Sequence, residues 1–331
     1  TAFYPDGSAT WLWPILRGDW MTSLNGPTAL RNCLWLALFD VALKDIPPQE
    51  TGLYLCENQG WERAFLHTWR KHGHGVIIGV AHATVPFWHT YYFDDPRSLN
   101  PKKVCAMPLP DRLAVNGTAA WNTFADAGFP VEQLAEVEAL RYLNLAGIAE
   151  KRELVAAKRY KVKPLVSEFP KLNILILGEM NPESMHYFLK LLEDTIKLLP
   201  LGYHFTLKPH PGYVANLANY PGLRANETAE ALDQILVDYD LVIAANSTSA
   251  SVDAYISGLP VIIGLDGRDF NLSPLRGQVG VTFVSKPEEL AVALRVTSQN
   301  KAVDLDRNDF FYLDPELPRW HHLLNIAASK D

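Results

Sequence analysis

The second half of the chain sets short apolar runs between stretches of helical periodicity. "LNILILG" (172–178), "DLVIAAN" (240–246) and "PVIIGLD" (260–266) are of strand length and show no polar alternation. Such runs suit strands covered on both faces, as in parallel sheets with crossover helices. Between them, Asn181, Pro182 and Glu183 read as N-cap, first residue and acidic first turn of a helix. Met185, Phe188, Leu189, Leu192 and Ile196 follow at spacings of three and four, a helical apolar face. "YHFTLKPHPG" (203–212) is a further strand with its exit loop. Helices are predicted over 227–239 and over 247–258, where Gly258 closes the second. Ser285 and Glu288 predict a capping box with Pro287 in its first turn.

The first half alternates in the same way. Strands are predicted at 52–56, 75–82, 111–117 and 133–140, and helices at 61–73 and 118–128, each closed by glycine. Ahead of them, "GPTALRNCLWLALFDVAL" has helical spacing with Pro27 at the start. Residues 146–170 break the alternation with a charged stretch containing Lys151, Arg152, Lys158, Arg159, Lys161 and Lys163. We place the domain boundary there, between residues 1–165 and 166–331, and expect the final amphipathic helix to pack back on the first domain. The expected fold is α/β, two Rossmann-like doubly wound parallel-sheet domains facing a cleft, with ligands off the carboxyl ends of the strands.

The chain has 331 residues, 48% hydrophobic and 20% charged, with a net charge of −7. That balance argues against a general nucleic-acid surface, so an anionic ligand needs a local basic or dipolar site. Cys33, Cys56 and Cys105 have no metal-ligand spacing and read as reduced, buried thiols, as expected of a cytoplasmic protein. No run of 18 apolar residues and no signal pattern is present. The basic run suits at most a peripheral contact with the inner face of a membrane, or else a solvated linker. The chain opens on Thr1, which suggests that its first domain lacks part of its start.

Two motifs past consecutive strand ends carry the chemistry. "KPHPG" places Lys208 and His210 together, with Pro209 and Pro211 limiting backbone freedom. "NSTSAS" puts Asn246, Ser247, Thr248, Ser249 and Ser251 at a helix start, where unpaired N–H groups and the helix dipole favour a phosphate. No G-x-G-x-x-G follows a strand and no P-loop is present, so dinucleotide and P-loop readings lose their main support.

The stretch "LKPHPG" followed by "DYDLVIAANSTSASVDAYISGLPVIIG" resembles the donor half of GT-B glycosyltransferases. More narrowly it is similar to bacterial enzymes that use CMP-activated sugar acids, the sialyltransferases and Kdo (ketodeoxyoctonate) transferases. "LYLCENQGWERAFLHTWRKHGHGVIIGVAHATV" and "PDRLAVNGTAAWNTFADAGFP" are similar to a family of bacterial surface-carbohydrate biosynthesis proteins. The resemblance implies a transferase moving Kdo or a related ulosonic acid from a CMP-sugar to a bacterial surface glycan, lipopolysaccharide or capsule, on an acceptor that can be lipid-linked. It implies that His210-Pro211 and Ser247-Thr248-Ser249 contact CMP, with Gly178 and Lys208 beside them, and needs no cofactor beyond the donor and no metal. Two carboxylates compete for the reaction itself. Glu57, at the end of the first strand beside Asn58, suits a general base for an acceptor hydroxyl, whereas Glu62 reads as a surface residue. Glu179, past the first strand of the second domain, suits a nucleophile or a sugar contact. His82, Arg268 and Arg276 are candidate acceptor or sugar contacts. A UDP-sugar 2-epimerase, which shares the architecture, and a non-catalytic nucleotide-binding module remain the alternatives.

Overall fold

The computed structural model describes residues 7–99, 106–152, 154–155, 172–200, 202–299 and 310–328. Two parallel sheets organise them. The first takes its strands in chain order: β1 (Thr51–Leu55), β2 (Val76–Ala81), β3 (Arg112–Val115) and β4 (Leu134–Glu136). The second contains β5 (Leu172–Leu177), β6 (Tyr203–Lys208), β7 (Ala225–Glu227), β8 (Leu241–Ala245), β9 (Val261–Gly264) and β10 (Val281–Val284). Its spatial order is β10-β9-β8-β5-β6-β7, all parallel. The chain therefore runs outward from β5 in one direction, returns to β8 and runs outward in the other, so the topological switch point lies between β5 and β8.

The unbroken apolar runs have the burial they predict. Ile174, Leu175 and Ile176 of β5 are fully buried, because helices cover both faces of the sheet. The helix α5 (Pro182–Ile196) packs Met185, Phe188 and Leu189 on one face. The helix α6 (Ala250–Ile256) packs Val252 and Tyr255 on the other. Each such side chain contributes about 1.5–3 kcal/mol on burial. The Asn181 carboxamide oxygen accepts from the N–H groups of Glu183 and Ser184 at 2.9 and 3.2 Å, which starts α5 where the sequence predicts.

The first sheet is also covered twice. The helices α3 (Gly60–Lys71) and α4 (Thr118–Asp126) pack Leu66, Trp69 and Phe124 against Ile77, Leu113 and Val115. The C-terminal helix, α8 (Pro318–Ala328), packs Trp320 and Leu323 against Ile78, Ala114 and Val137 on the opposite face. Glu138 anchors its start: the carboxylate accepts the Arg319 and Trp320 N–H groups at 3.0 and 3.1 Å, and the Glu138 carbonyl accepts the Trp320 indole N–H at 2.9 Å. Ahead of the sheet, α1 (Trp13–Asn25) and α2 (Pro27–Lys44) form a helical hairpin that leaves Ile15, Leu30 and Leu34 exposed. The remaining long helix is α7 (Pro287–Gln299).

Several expectations are corrected. The helix expected over 227–239 shrinks to a turn at Leu232–Ile235 and a 3-10 turn at Leu236–Asp238. The preceding residues instead form β7, and the Thr228 N–H is taken by the Leu207 carbonyl at 3.0 Å, so the sheet ladder wins over helix propensity. The strand expected over 133–140 is only three residues long. The glutamate capping 285–286 is Glu289, not Glu288: its Oε2 accepts from the Ser285 and Lys286 N–H groups at 2.8 and 3.2 Å. Cys33 is exposed on α2 and Cys56 is buried, where loss of solvation pushes its thiol up to about 12; Cys105 lies outside the described residues. The expected boundary at 165/166 and most of the basic run also lie outside them.

Asp253 on α6 gives a pH test of this packing. Burial, opposed by Arg141 and reinforced by Asp233, pushes its carboxyl up to about 7. The folded state thus holds this proton more tightly than the unfolded chain. The contribution to stability is present below the ordinary carboxylate pKa and is lost as pH rises toward 7. At ~1.4 kcal/mol per pKa unit, Asp253→Asn should remove about 2–3 kcal/mol of the stability loss between pH 5 and pH 8, as read by urea unfolding at both values.

Candidate functional site

Loops from three neighbouring strands meet at the switch point. The loop after β5 supplies Gly178 and Glu179, the loop after β6 supplies His210, and the loop after β8 supplies Asn246 to Ser249. Glu179 is only 3% exposed, and its Oε2 accepts from the Ser247 N–H at 3.2 Å and the Ser247 hydroxyl at 2.8 Å. The bond joins the β5 and β8 loops across the switch point. Gly178 lies under a close approach: a Cβ there would lie 3.1 Å from the Met185 methyl, a tight contact that the flexible end of Met185 would have to relieve, and 3.5 Å from the His210 nitrogen, an ordinary one.

His210 is held by more than its two prolines. Its Nδ1 accepts the Gly212 N–H at 3.0 Å, and its carbonyl accepts the Tyr213 N–H at 3.0 Å within a small bridge. In the neutral ring the proton therefore sits on Nε2, which leaves a donor for a ligand oxygen. The structure gives a tighter clamp than Pro209 and Pro211 alone imply: the imidazole is tied to its own turn.

The rest of the "NSTSAS" run divides by burial. Ser247 and Ser249 are exposed, whereas Thr248 and Ser251 are buried. The Ser251 hydroxyl donates to the Thr248 carbonyl at 2.8 Å, so both residues belong to the framework of the turn. Asn246 fixes a neighbouring loop, its amide nitrogen donating to the Phe270 carbonyl at 2.8 Å and its oxygen accepting the Leu272 N–H at 3.0 Å. Lys208 turns away from His210 and donates to the Glu230 carbonyl. Arg268 pairs with the Glu183 carboxylate and lies 4.7 Å over the Tyr187 ring. Arg276 lies 4.1 Å over Phe87 of the first half.

The first sheet brings Glu57 and His82 together at the ends of β1 and β2, with His82 Nε2 3.6 Å from Glu57 Oε1. Glu57 is half-exposed, and His82 Nδ1 has no partner among the described residues. Asn58 sits in the left-handed region at φ 57°. Both ends of its amide are taken: the nitrogen by the Tyr91 carbonyl, the oxygen by Arg63, which also pairs with Asp94 at 2.8 Å. Asn58 thus organises the loop after β1. Glu62 corrects the surface reading: it is 1% exposed, and its Oε1 accepts the Glu57 and Gln59 N–H groups at 2.8 and 2.9 Å to complete a capping box. The signal was legible, since Gln59 and Glu62 have capping-box spacing.

Residues that no motif marks join the two halves. Trp88 stacks on Phe270 with ring centroids 4.4 Å apart and 20° between planes. Beside them a cavity of about 470 Å³ is lined by the 84–93 loop, α4 and the 273–278 segment.

No protein-family model matches the sequence, and no curated protein matches it. Solved structures do resemble this fold. The UDP-GlcNAc 2-epimerase of Methanocaldococcus jannaschii, in complex with UDP-GlcNAc and UDP, is 16% identical over 89% of this chain and 79% of its own, with a TM-score of 0.53. The UDP-GlcNAc 2-epimerase of Neisseria meningitidis, bound to UDP-GlcNAc, is 12% identical over 90% and 81%, with a TM-score of 0.54. A glycosyltransferase from Rickettsia africae is 13% identical over 93% and 84%, with a TM-score of 0.51. The fold is thus two parallel-sheet α/β domains of the GT-B, Rossmann-like type.

Proposed function

We propose that the protein is a sugar-nucleotide-dependent glycosyltransferase whose donor nucleotide sits at the switch point of the six-stranded sheet. One observation carries this reading: Glu179, His210 and Ser247 come from three strands flanking that point, and a bond from Glu179 to Ser247 spans it. His210 Nε2–H would donate to a phosphate oxygen of the leaving nucleotide, where negative charge grows during transfer. The exposed Ser249 is placed to add a donor, while both donors of Ser247 are held by Glu179. The Glu179 carboxylate, oriented by Ser247, would accept hydroxyls of the ribose or the transferred sugar.

The donor we favour is CMP-Kdo or a related CMP-nonulosonate, because "KPHPG" and "NSTSAS" match the CMP-contacting motifs of such enzymes. On the acceptor side, the half-exposed Glu57 with His82 supplies a candidate base. The apolar hairpin of α1 and α2 supports an acceptor presented at a membrane, such as a lipid-linked bacterial glycan. Among the described residues no helix is long and apolar enough to cross one.

The epimerase reading is kept because two of the solved structures above are epimerases. The two separate on one experiment: the protein incubated with a sugar nucleotide and no acceptor. Transferase action predicts at most slow hydrolysis to free nucleotide and sugar. Accumulation of an isomeric nucleotide sugar would replace our reading with the epimerase.

A further inference from the structure

The cavity between the halves has a chemistry distinct from the nucleotide site. One side is formed by α4, where Ala119, Ala120 and Thr123 are too small to fill it. Trp88, Phe310 and Phe311 add aromatic surface. The charged residues lining it are Asp126 and Arg276; both are exposed, and Arg276 is already stacked on Phe87. An ionic group inside would find no buried counter-charge among the described residues, and burying an unpaired charge is prohibitive. At about 470 Å³ the space is some three times the ~150 Å³ that encloses one benzene, so on that scale it has room for about eighteen carbon atoms.

One buried polar group in the lining is incomplete. Asn116, 2% exposed, follows β3, and its amide nitrogen donates to the Ala83 carbonyl at 3.2 Å. Its Oδ1 is buried and has no partner among the described residues. Buried carbonyl oxygens left without a donor are rare in folded proteins and costly.

We propose that the cavity binds an uncharged amphiphile: an apolar body of at most about eighteen carbons whose hydroxyl donates to Asn116 Oδ1. The binding claim stands on this geometry. Its place in the reaction rests on the transferase reading: the loop that Asn246 anchors at Phe270 and Leu272 beside the nucleotide site runs on into the cavity at Ser273, so the occupant is the apolar aglycone of the glycosyl acceptor.

Three naphthalene probes of one shape test it by fluorescence titration of the full chain: 2-naphthol, 2-methoxynaphthalene and 2-naphthoate. We expect saturable binding of 2-naphthol, binding of the methoxy compound weaker by about tenfold for the lost hydrogen bond, and none of the carboxylate. Thr123→Trp, which fills the cavity, should abolish 2-naphthol binding while keeping any nucleotide-induced rise in melting temperature. Asn116→Leu should bring 2-naphthol down to the level of its methyl ether. Wild-type affinity in Thr123→Trp, equal binding of naphthol and its ether, or tight binding of naphthoate overturns the proposal. If naphthol binds as described and no nucleotide stabilises the protein, the cavity assignment stands and the transferase reading falls. If nucleotide stabilises and naphthol does not bind, the reverse holds.

Discussion

Replacing His210 with alanine is expected to lower donor turnover by about 10²–10³-fold, the usual loss when one preorganised donor to a developing negative charge is removed. The melting temperature should stay close to that of the wild type. The ring is partly exposed, and among the described residues its one internal bond is the one Nδ1 accepts from the Gly212 N–H, in a turn also held by Pro209, Pro211 and the bridge to Tyr213. Asparagine, whose amide can still donate, should recover part of the rate. Because the group acts on the leaving nucleotide, kcat should fall more than KM rises. Steady-state kinetics beside a thermal melt checks both halves. Unchanged turnover in His210→Ala would remove the histidine from the reaction.

The largest stability effect is expected at Trp320. This side chain is buried against Ile78 and Ala114, its indole N–H is bonded to the Glu138 carbonyl, and its backbone N–H to the Glu138 carboxylate. Trp320→Ala removes the main anchor of α8 on the first sheet and should cost about 3–5 kcal/mol, the range for a buried aromatic truncated to alanine. It should also uncover Ile78 and Ala114, so a dye for apolar surface should bind the variant before global unfolding. Trp320→Phe, which keeps most of the apolar area and loses the indole bond, should cost distinctly less. Denaturant unfolding of the two variants separates packing from hydrogen bonding. A Trp320→Ala protein as stable as the wild type would mean that α8 does not hold this face closed.

These two residues mark what the sequence could and could not convey. Local patterns were legible where one period dominates. The runs at 172–178, 240–246 and 260–266 contain strands buried throughout but for Leu172 and Asn173, and Asn181-Pro182-Glu183 starts a helix. Strand order was not legible, because whether β8 returns to the side of β5 depends on contacts between distant segments. That return creates the switch point and brings Glu179 to Ser247. The helix expected over 227–239 gives way for the same reason: the Leu207 carbonyl of β6 claims the Thr228 N–H, and no local pattern reports that distant strand. Lys208 stands beside His210 in the motif, yet its ammonium donates to the Glu230 carbonyl, a partner that the motif does not report. Asn116 and the Trp88–Phe270 stack carry no motif, and only the meeting of the two halves makes them visible. At Glu62 the local spacing alone, Gln59 to Glu62, carries the capping box that buries it.

A nucleotide at the ends of β5, β6 and β8 is the central expectation. The direct measurement is the melting temperature of the wild type and of His210→Ala with CMP, CDP, UDP or GDP, since a ligand that binds only the folded state raises its stability. We predict that CMP stabilises the wild type most and that His210→Ala loses most of the shift. A preference for UDP would keep the site and change the donor. No shift with any nucleotide, or an equal shift in both proteins, would contradict the assignment of this site.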